Sequence, residues 1–330
     1  MTRSANMPGT TSGTTRREWL ALGAAVAAFS ALPLPARAKV LKYQLDPVEI
    51  APGVWTIYGL PEPITARNGG AIANITVFDT RDGAVLIDAG PSHRYGEALK
   101  ALAESLTGKP VARVYITHYH SDHVLGATAF EDGIVSGGPA LAADLKRAGN
   151  DLTNAMYRVA GDWMRGTGVP QPGKIAADGV EEIGGRKFRQ ILLAGHTRED
   201  LCLYEEGSGL LLPGDLVFLD RAATTPDARL DTWRASLKQI AGMDHRLLVP
   251  GHGPVEPGTR GLEQTERWLD TVQQTIQAGF EQGLDETELM GAALPAWTDK
   301  IAVARHEFGR SVMHLMPGLE VERLPVLTSA

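Results

Sequence analysis

Residues Ile116–His123 read ITHYHSDH, and this stretch sets the reading of the whole chain. It closes the run VARVYI, in which Val111, Arg113 and Tyr115 alternate with Ala112, Val114 and Ile116, the period-two pattern of a strand. Past the strand end, His118, His120 and Asp122 occupy alternate positions. Alternate side chains on an extended chain point the same way, so two imidazoles and a carboxylate can face one point. His123 opens the next segment, HVLGATAF, whose spacing predicts a helix start, and aims slightly to one side. The geometry offers one ion two ligands and a neighbouring ion two others.

Three later positions repeat the setting. His196 follows KFRQILLAG, Asp215 follows LLLPG, and His252 follows RLLVPG, each just after an apolar run and next to glycine. Strand ends are where α/β proteins collect functional side chains. Five histidines and two aspartates suit zinc and other first-row divalent metals. Seven ligands fit a pair of ions: three neutral imidazoles on one, the remainder on the other, one aspartate between.

HYHSDH (118–123), GHT (195–197), GD (214–215) and GHG (251–253) resemble, in order and spacing, the metallo-β-lactamase superfamily, over roughly residues 50–255. The resemblance implies an α/β fold, a four-layer αββα sandwich with two metals at one edge of its sheets. It implies that His118, His120 and His196 hold the first metal, that Asp122, His123 and His252 hold the second, and that Asp215 bridges. It also implies that Asp88, in VLIDAG, supports the metal loops from behind. Many zinc β-lactamases of the superfamily carry cysteine where this chain has Asp215, so the set is more like the glyoxalase II and lactonase branches. The overall layout also resembles exported hydrolases associated with periplasmic quinoprotein systems.

That layout begins with TRREWL (15–20), an apolar stretch from Leu20 closed by two prolines, and Ala36-Arg37-Ala38. This is the plan of a twin-arginine-type signal peptide over residues 1–38, cleaved near Ala38 and leading to the periplasm. The apolar run falls short of the about 20 residues of a membrane span. No stable span is expected in residues 39–330, which read as one domain with a helical C-terminal part from about 258. The chain carries 32 basic and 39 acidic residues, a net charge of −7, and no basic run. That makes it a poor candidate for binding nucleic acid or an anionic membrane; the partner expected, on other grounds, is a small-molecule substrate. The single cysteine, Cys202 in LCLY, reads as a buried small hydrophobe.

Strand-type runs are expected at 54–59, 71–80, 84–90, 112–117, 187–195, 201–206, 210–214 and 246–251. Helices are expected at 92–106, 139–165, 232–242, 260–279, 285–293 and 300–315. NGGAIAN (68–74) reads as a hairpin connection or a mobile cover over the site. The 139–172 segment, with Tyr157, Trp163 and Met164, reads as core or pocket wall. His93, His245, His306 and His314 lack the glycine-strand setting and read as structural or surface residues.

The expected activity is that of an exported dinuclear zinc hydrolase. A metal-bound hydroxide would attack a thioester, lactone or β-lactam, with Asp122 orienting the nucleophile and shuttling a proton. No G-x-S-x-G elbow supports a serine nucleophile. The alternatives are a genuine β-lactamase and a redox enzyme of the same fold, either a persulfide dioxygenase-like mononuclear iron site or a di-iron site.

Overall fold

The computed structural model describes residues 41–323. The segment read as an export signal lies outside the described residues. The chain opens with strands β1 (Pro47–Ala51), β2 (Val54–Ile57), β3 (Ile75–Thr80) and β4 (Gly83–Ile87), then helix α1 (His93–Thr107), β5 (Val111–Ile116) and the single turn α2 (Ser121–Val124). Next come β6 (Val135–Gly137), α3 (Pro139–Ala160), β7 (Lys174–Ile175), β8 (Gly179–Ile183), β9 (Arg186–Leu193), β10 (Asp200–Glu205) and β11 (Leu210–Phe218). Helix α4 (Leu230–Ala241), β12 (Leu247–His252), α5 (Arg260–Glu281), α6 (Glu286–Met290) and α7 (Ala304–Arg323) complete it.

One seven-stranded sheet runs in the order β1 to β7, and a five-stranded sheet in the order β12-β11-β10-β9-β8. The sheets face each other across a core in which Phe78 and Phe188 meet edge to face at 5.2 Å, with Tyr115, Leu203 and Leu212 around them. Outside the smaller sheet, α4, α5 and α7 bury Trp233, Trp268 and Phe308 completely. Helix α1 turns Leu99 and Ala103 inward against β3–β5. The layers are helix, sheet, sheet, helix, as the sequence leads one to expect. Cys202 is fully buried in the outer core of the smaller sheet.

Helix α1 has its Ser92 cap, whose hydroxyl accepts from Tyr95 N, and stops at Gly108. The differences lie in short or interrupted elements. β1 and the three short strands β6, β7 and β8 carry too few residues, or too little alternation, to stand out. The 71–80 strand begins only at Ile75, and the 139–165 helix breaks at Gly161 into a 3-10 turn. The C-terminal helix continues past 315 to Arg323.

Asp215 does not follow its strand but lies inside it. Pro213 and Gly214 read as a terminator, yet β11 runs through them to Phe218 and is buried at all nine positions. Gly214 takes φ +55°, and the pairing with β12 shifts register on both sides of it. The irregularity turns Asp215 toward the end of β12 without ending the strand.

Candidate metal centre

The centre is built outward from the end of β5. Asp88, just past β4, holds φ 64°, a strained conformation for a residue with a side chain. Its carboxylate accepts from Thr117 N at 2.8 Å, from Thr117 Oγ1 and from His123 Nδ1 at 2.7 Å. The Thr117 hydroxyl, having donated to Asp88, is left to accept from His118 Nδ1 at 3.0 Å.

Every other ring is fixed from behind in the same manner. His196 Nδ1 donates to Thr224 O at 3.1 Å, His252 Nδ1 to Ile72 O at 2.7 Å, and His120 Nε2 to Asp227 Oδ2 at 2.9 Å. Carbonyl and carboxylate oxygens only accept, so each of these contacts places a proton on the outward nitrogen and, in the neutral ring that a ligand must be, leaves the opposite nitrogen bare. The inward atoms are Nε2 of His118, His123, His196 and His252, and Nδ1 of His120.

These atoms fall into two adjoining groups that could each hold a metal ion: His118, His120, His196 and Asp215, and then Asp122, His123 and His252. Within each group the ligand atoms lie within 4.8 Å of one another. Asp215 stands between, its Oδ2 3.4 Å from His196 Nε2 and 3.3 Å from His252 Nε2, its Oδ1 3.1 Å from His123 Nε2. Asp122 Oδ2 lies 3.3 Å from His252 Nε2 and 3.6 Å from His123 Nε2. Ligands at bonds of about 2.0–2.2 Å around a tetrahedral ion are separated by similar spans.

The residues fit a metal on two counts. His118 Nε2, His123 Nε2 and Asp215 Oδ1 are buried without a hydrogen-bond partner, a costly arrangement for a centre with nothing to bind. His120 Nδ1 and His196 Nε2, both bare, face each other at 2.9 Å, where two lone pairs repel unless a cation lies between. Burial pushes the His118 imidazolium well below the usual range and His196 down to about 3, which keeps both rings neutral, as ligands must be.

Residues 68–252 match the family model of the metallo-beta-lactamase superfamily. The chain belongs to the metallo-beta-lactamase superfamily. It is 30% identical to a metallo-beta-lactamase type 2 of Bacillus sp. strain 170 over 59% of this chain and 72% of that one. It is 26% identical to a beta-lactamase-like protein 2 homolog of Caenorhabditis elegans over 64% of this chain and 65% of that protein. A solved metallo-beta-lactamase from Pontibacter korlensis superposes with a TM-score of 0.56 at 24% identity, covering 69% of this chain and 99% of the other.

A cavity of about 480 Å³ opens over this superfamily centre, and His120, Asp122, Asp215 and His252 reach its floor. One wall is a face of α3, with Ala148, Leu152, Ala155, Met156 and Val159 at helical spacing. The 139–172 segment therefore lines the pocket mainly through apolar residues, with Asp151 among them. Of its aromatics, Trp163 is buried against Tyr43, and Tyr157 is largely exposed. His306, read as structural or surface from its setting, also lines the cavity, with Glu307 and Arg310 of α7. Helix α7 lies beyond the matched region, and no local motif marks those positions. Asp227 and Thr117, which bond to His120 and His118, carry no sequence signal for a related reason: neither aspartate in PDA nor threonine beside a histidine marks a partner until the fold brings them together.

The 68–74 loop is fastened, not loose. Asn74 Nδ2 donates to Pro250 O and Gly253 O at 2.8 and 2.7 Å, and Asn74 N donates to Gly251 O.

Asp88→Asn should weaken metal binding by about 10–100-fold, because the carboxylate that holds His123 directly, and His118 through Thr117, loses its charge while the backbone shape survives. Competition with a chromogenic chelator measures it. Unchanged affinity would leave Asp88 a strand cap only.

Proposed function

We propose that this metal-dependent hydrolase is an exported dinuclear zinc enzyme that cleaves a small carbonyl substrate, a thioester, lactone or β-lactam. The observation that carries the reading is the convergence of seven side chains on two adjoining groups with Asp215 between them. His118, His120 and His196 would hold one ion, Asp122, His123 and His252 the other, and Asp215 both. Bound there, such a pair supplies Lewis acidity and lowers the pKa of water from about 15.7 to about 7.

The chain's own residues do the rest. Thr117, Asp88, Thr224, Asp227 and Ile72 hold the rings in their ligating tautomers. Asp122, which lines the cavity with its Oδ2 3.3 Å from His252 Nε2 and 3.6 Å from His123 Nε2, orients the attacking water and carries a proton to the leaving group. The α3 wall excludes water from one side of the substrate. Aspartate at 215, in place of the cysteine of many zinc β-lactamases, favours a thioester or lactone over a β-lactam.

Elemental analysis should find about two zinc ions per chain. One tightly held iron, with no second metal taken up when zinc is supplied, would overturn the dinuclear reading and favour a redox enzyme.

Export rests on Arg16-Arg17, the apolar stretch and Ala36-Arg37-Ala38, all outside the described residues. Among the described residues no helix is long and apolar enough to cross a membrane. Changing both arginines to lysine should strand the precursor in the cytoplasm, whereas the wild type should show a mature N-terminus near Lys39. Undiminished periplasmic protein from the double variant would rule out the twin-arginine route.

A further inference from the structure

Helix α3 carries two apolar sets. Leu141, Leu145, Met156 and Ala160 are buried. A second set, Ala148, Leu152, Ala155 and Val159, recurs at the i, i+4, i+7, i+11 spacing of one helix face and lines the cavity over the metal groups. Its outer members are uncovered: Ala155 is exposed, and Val159 is 46% exposed. Apolar surface gathered in one place, and not scattered singly, marks a site at which something binds.

The stripe is one wall of a groove. The other is the loop after β2, with Pro63 and Ile64 in the same cavity. Met156 lies between them, 4% exposed and so close to the loop that a methyl on Gly70 would stand 2.8 Å from its Cε. One end of the groove is at the metal centre, where α3 is held by the turn that carries His196: Arg198 Nε is 2.8 Å from Asp144 Oδ2, and Glu199 Oε1 accepts from Ala140 N at 2.6 Å. The other end is closed by Trp163, whose Nε1 donates to Ala66 O at 2.9 Å. From Ala148 to Val159 the helix rises about 16 Å, the reach of an extended chain of about twelve carbons. Asp151 is the one ionisable residue that α3 adds to the lining. The lining away from α3 and this loop is polar, with Arg221, Thr224, Asp227 and Arg310.

We infer that this groove receives the unbranched aliphatic chain of an acyl group whose carbonyl lies at the metal centre, so that the substrate is a fatty-acyl thioester of medium chain length. The apolar side chains of the two walls offer the chain contact and no hydrogen-bond donor. The only charge that the helix adds is negative, which turns away an anionic chain end, so the chain is neutral and ends in a methyl group. The closed end makes the groove a ruler for chain length. The inference rests on the hydrolase reading for the carbonyl but not for the chain.

Two measurements on the zinc-loaded full chain test it. In turnover on acyl thioesters of one thiol, kcat/KM should rise at least ~30-fold from butyryl to decanoyl and level off beyond about twelve carbons, where Trp163 closes the groove. In calorimetry, decanoate should bind at least ~10-fold more tightly than butyrate. Ala155→Trp fills the groove from an exposed position, and Val159→Asp charges its far end. Each should cut the decanoyl-to-butyryl ratio of kcat/KM at least ~10-fold and abolish the difference in affinity, ratios taken within one variant and so indifferent to its metal content. Val180→Asp, on β8 outside the cavity lining and 52% exposed, is the control and should leave both ratios as they are. Equal affinity of the wild type for butyrate and decanoate overturns the groove, and needs no variant to fold. A chain-length preference that survives in both Ala155→Trp and Val159→Asp, or that vanishes in Val180→Asp, overturns its assignment to α3. A decanoate preference that depends on Ala155 and Val159, with neither thioester, lactone nor β-lactam cleaved, upholds the groove and sinks the hydrolase reading instead.

Discussion

Asp122→Asn should lose at least ~100-fold in turnover on whichever thioester, lactone or β-lactam the wild type cleaves, measured with zinc in excess. Asparagine keeps the shape and removes the charge. Burial works against ionising Asp122, but His123 and His252 beside it prevail and hold its carboxyl well below the usual carboxylate range. A carboxylate that ligates an ion is also deprotonated, and can accept a hydrogen bond from the attacking water. The amide cannot take a proton onward to a leaving group. Because His118 sits fully buried with an orphaned nitrogen and Asp122 reaches the cavity, His118→Ala should lower the melting temperature in zinc far more than Asp122→Asn does. A variant with near-wild-type hydrolysis would take Asp122 out of the mechanism.

Gly251→Ala should be as damaging by a different route. A methyl at residue 251 would stand 2.0 Å from Asp215 Oδ1, 2.8 Å from Gly214 C and 2.9 Å from Asp215 N. Two of these atoms are backbone at the β11 irregularity and cannot swing aside, and the third belongs to the carboxylate shared by both groups. Overpacking of this kind commonly costs about 1–3 kcal/mol. Here the strain also displaces Asp215, the proposed bridge, so zinc content should fall from the expected two or so per chain to one or none. Gly258→Ala, where an added methyl meets nothing within 4 Å, is the control. Full zinc occupancy in Gly251→Ala would mean that the two strands yield more readily than this packing allows.

The residues that were legible in the sequence were those whose geometry is local. Period-two alternation before His118 marks β5, and the spacing of His118, His120 and Asp122 needs no knowledge of the rest of the chain. Asp215 was legible as a type but not as a place, because Pro213-Gly214 stops most strands and here only bends one. Arg221, Asp227 and Glu307 left no trace at all. Each gains meaning only from partners 86 to 107 positions away, such as Arg221 with Glu307 and Asp227 with His120. The four layers followed from the resemblance to the superfamily, and the longer strands and helices from apolar runs and helical spacing, whereas β6 and β7, of three and two residues, have no period to detect.

The fastening of the 68–74 loop carries a consequence for motion. Ile72 O accepts from His252 Nδ1, while Asn74 ties the same loop to the chain on both sides of that histidine, at Pro250 and Gly253. Opening the loop frees the His252 ring to turn and to change tautomer. By reciprocity, whatever locks His252 from the inside must also hold the loop shut from the outside. Hydrogen exchange of the 69–74 amides and occupancy of the second group are then two readings of a single equilibrium, although one belongs to the rim and the other to the floor.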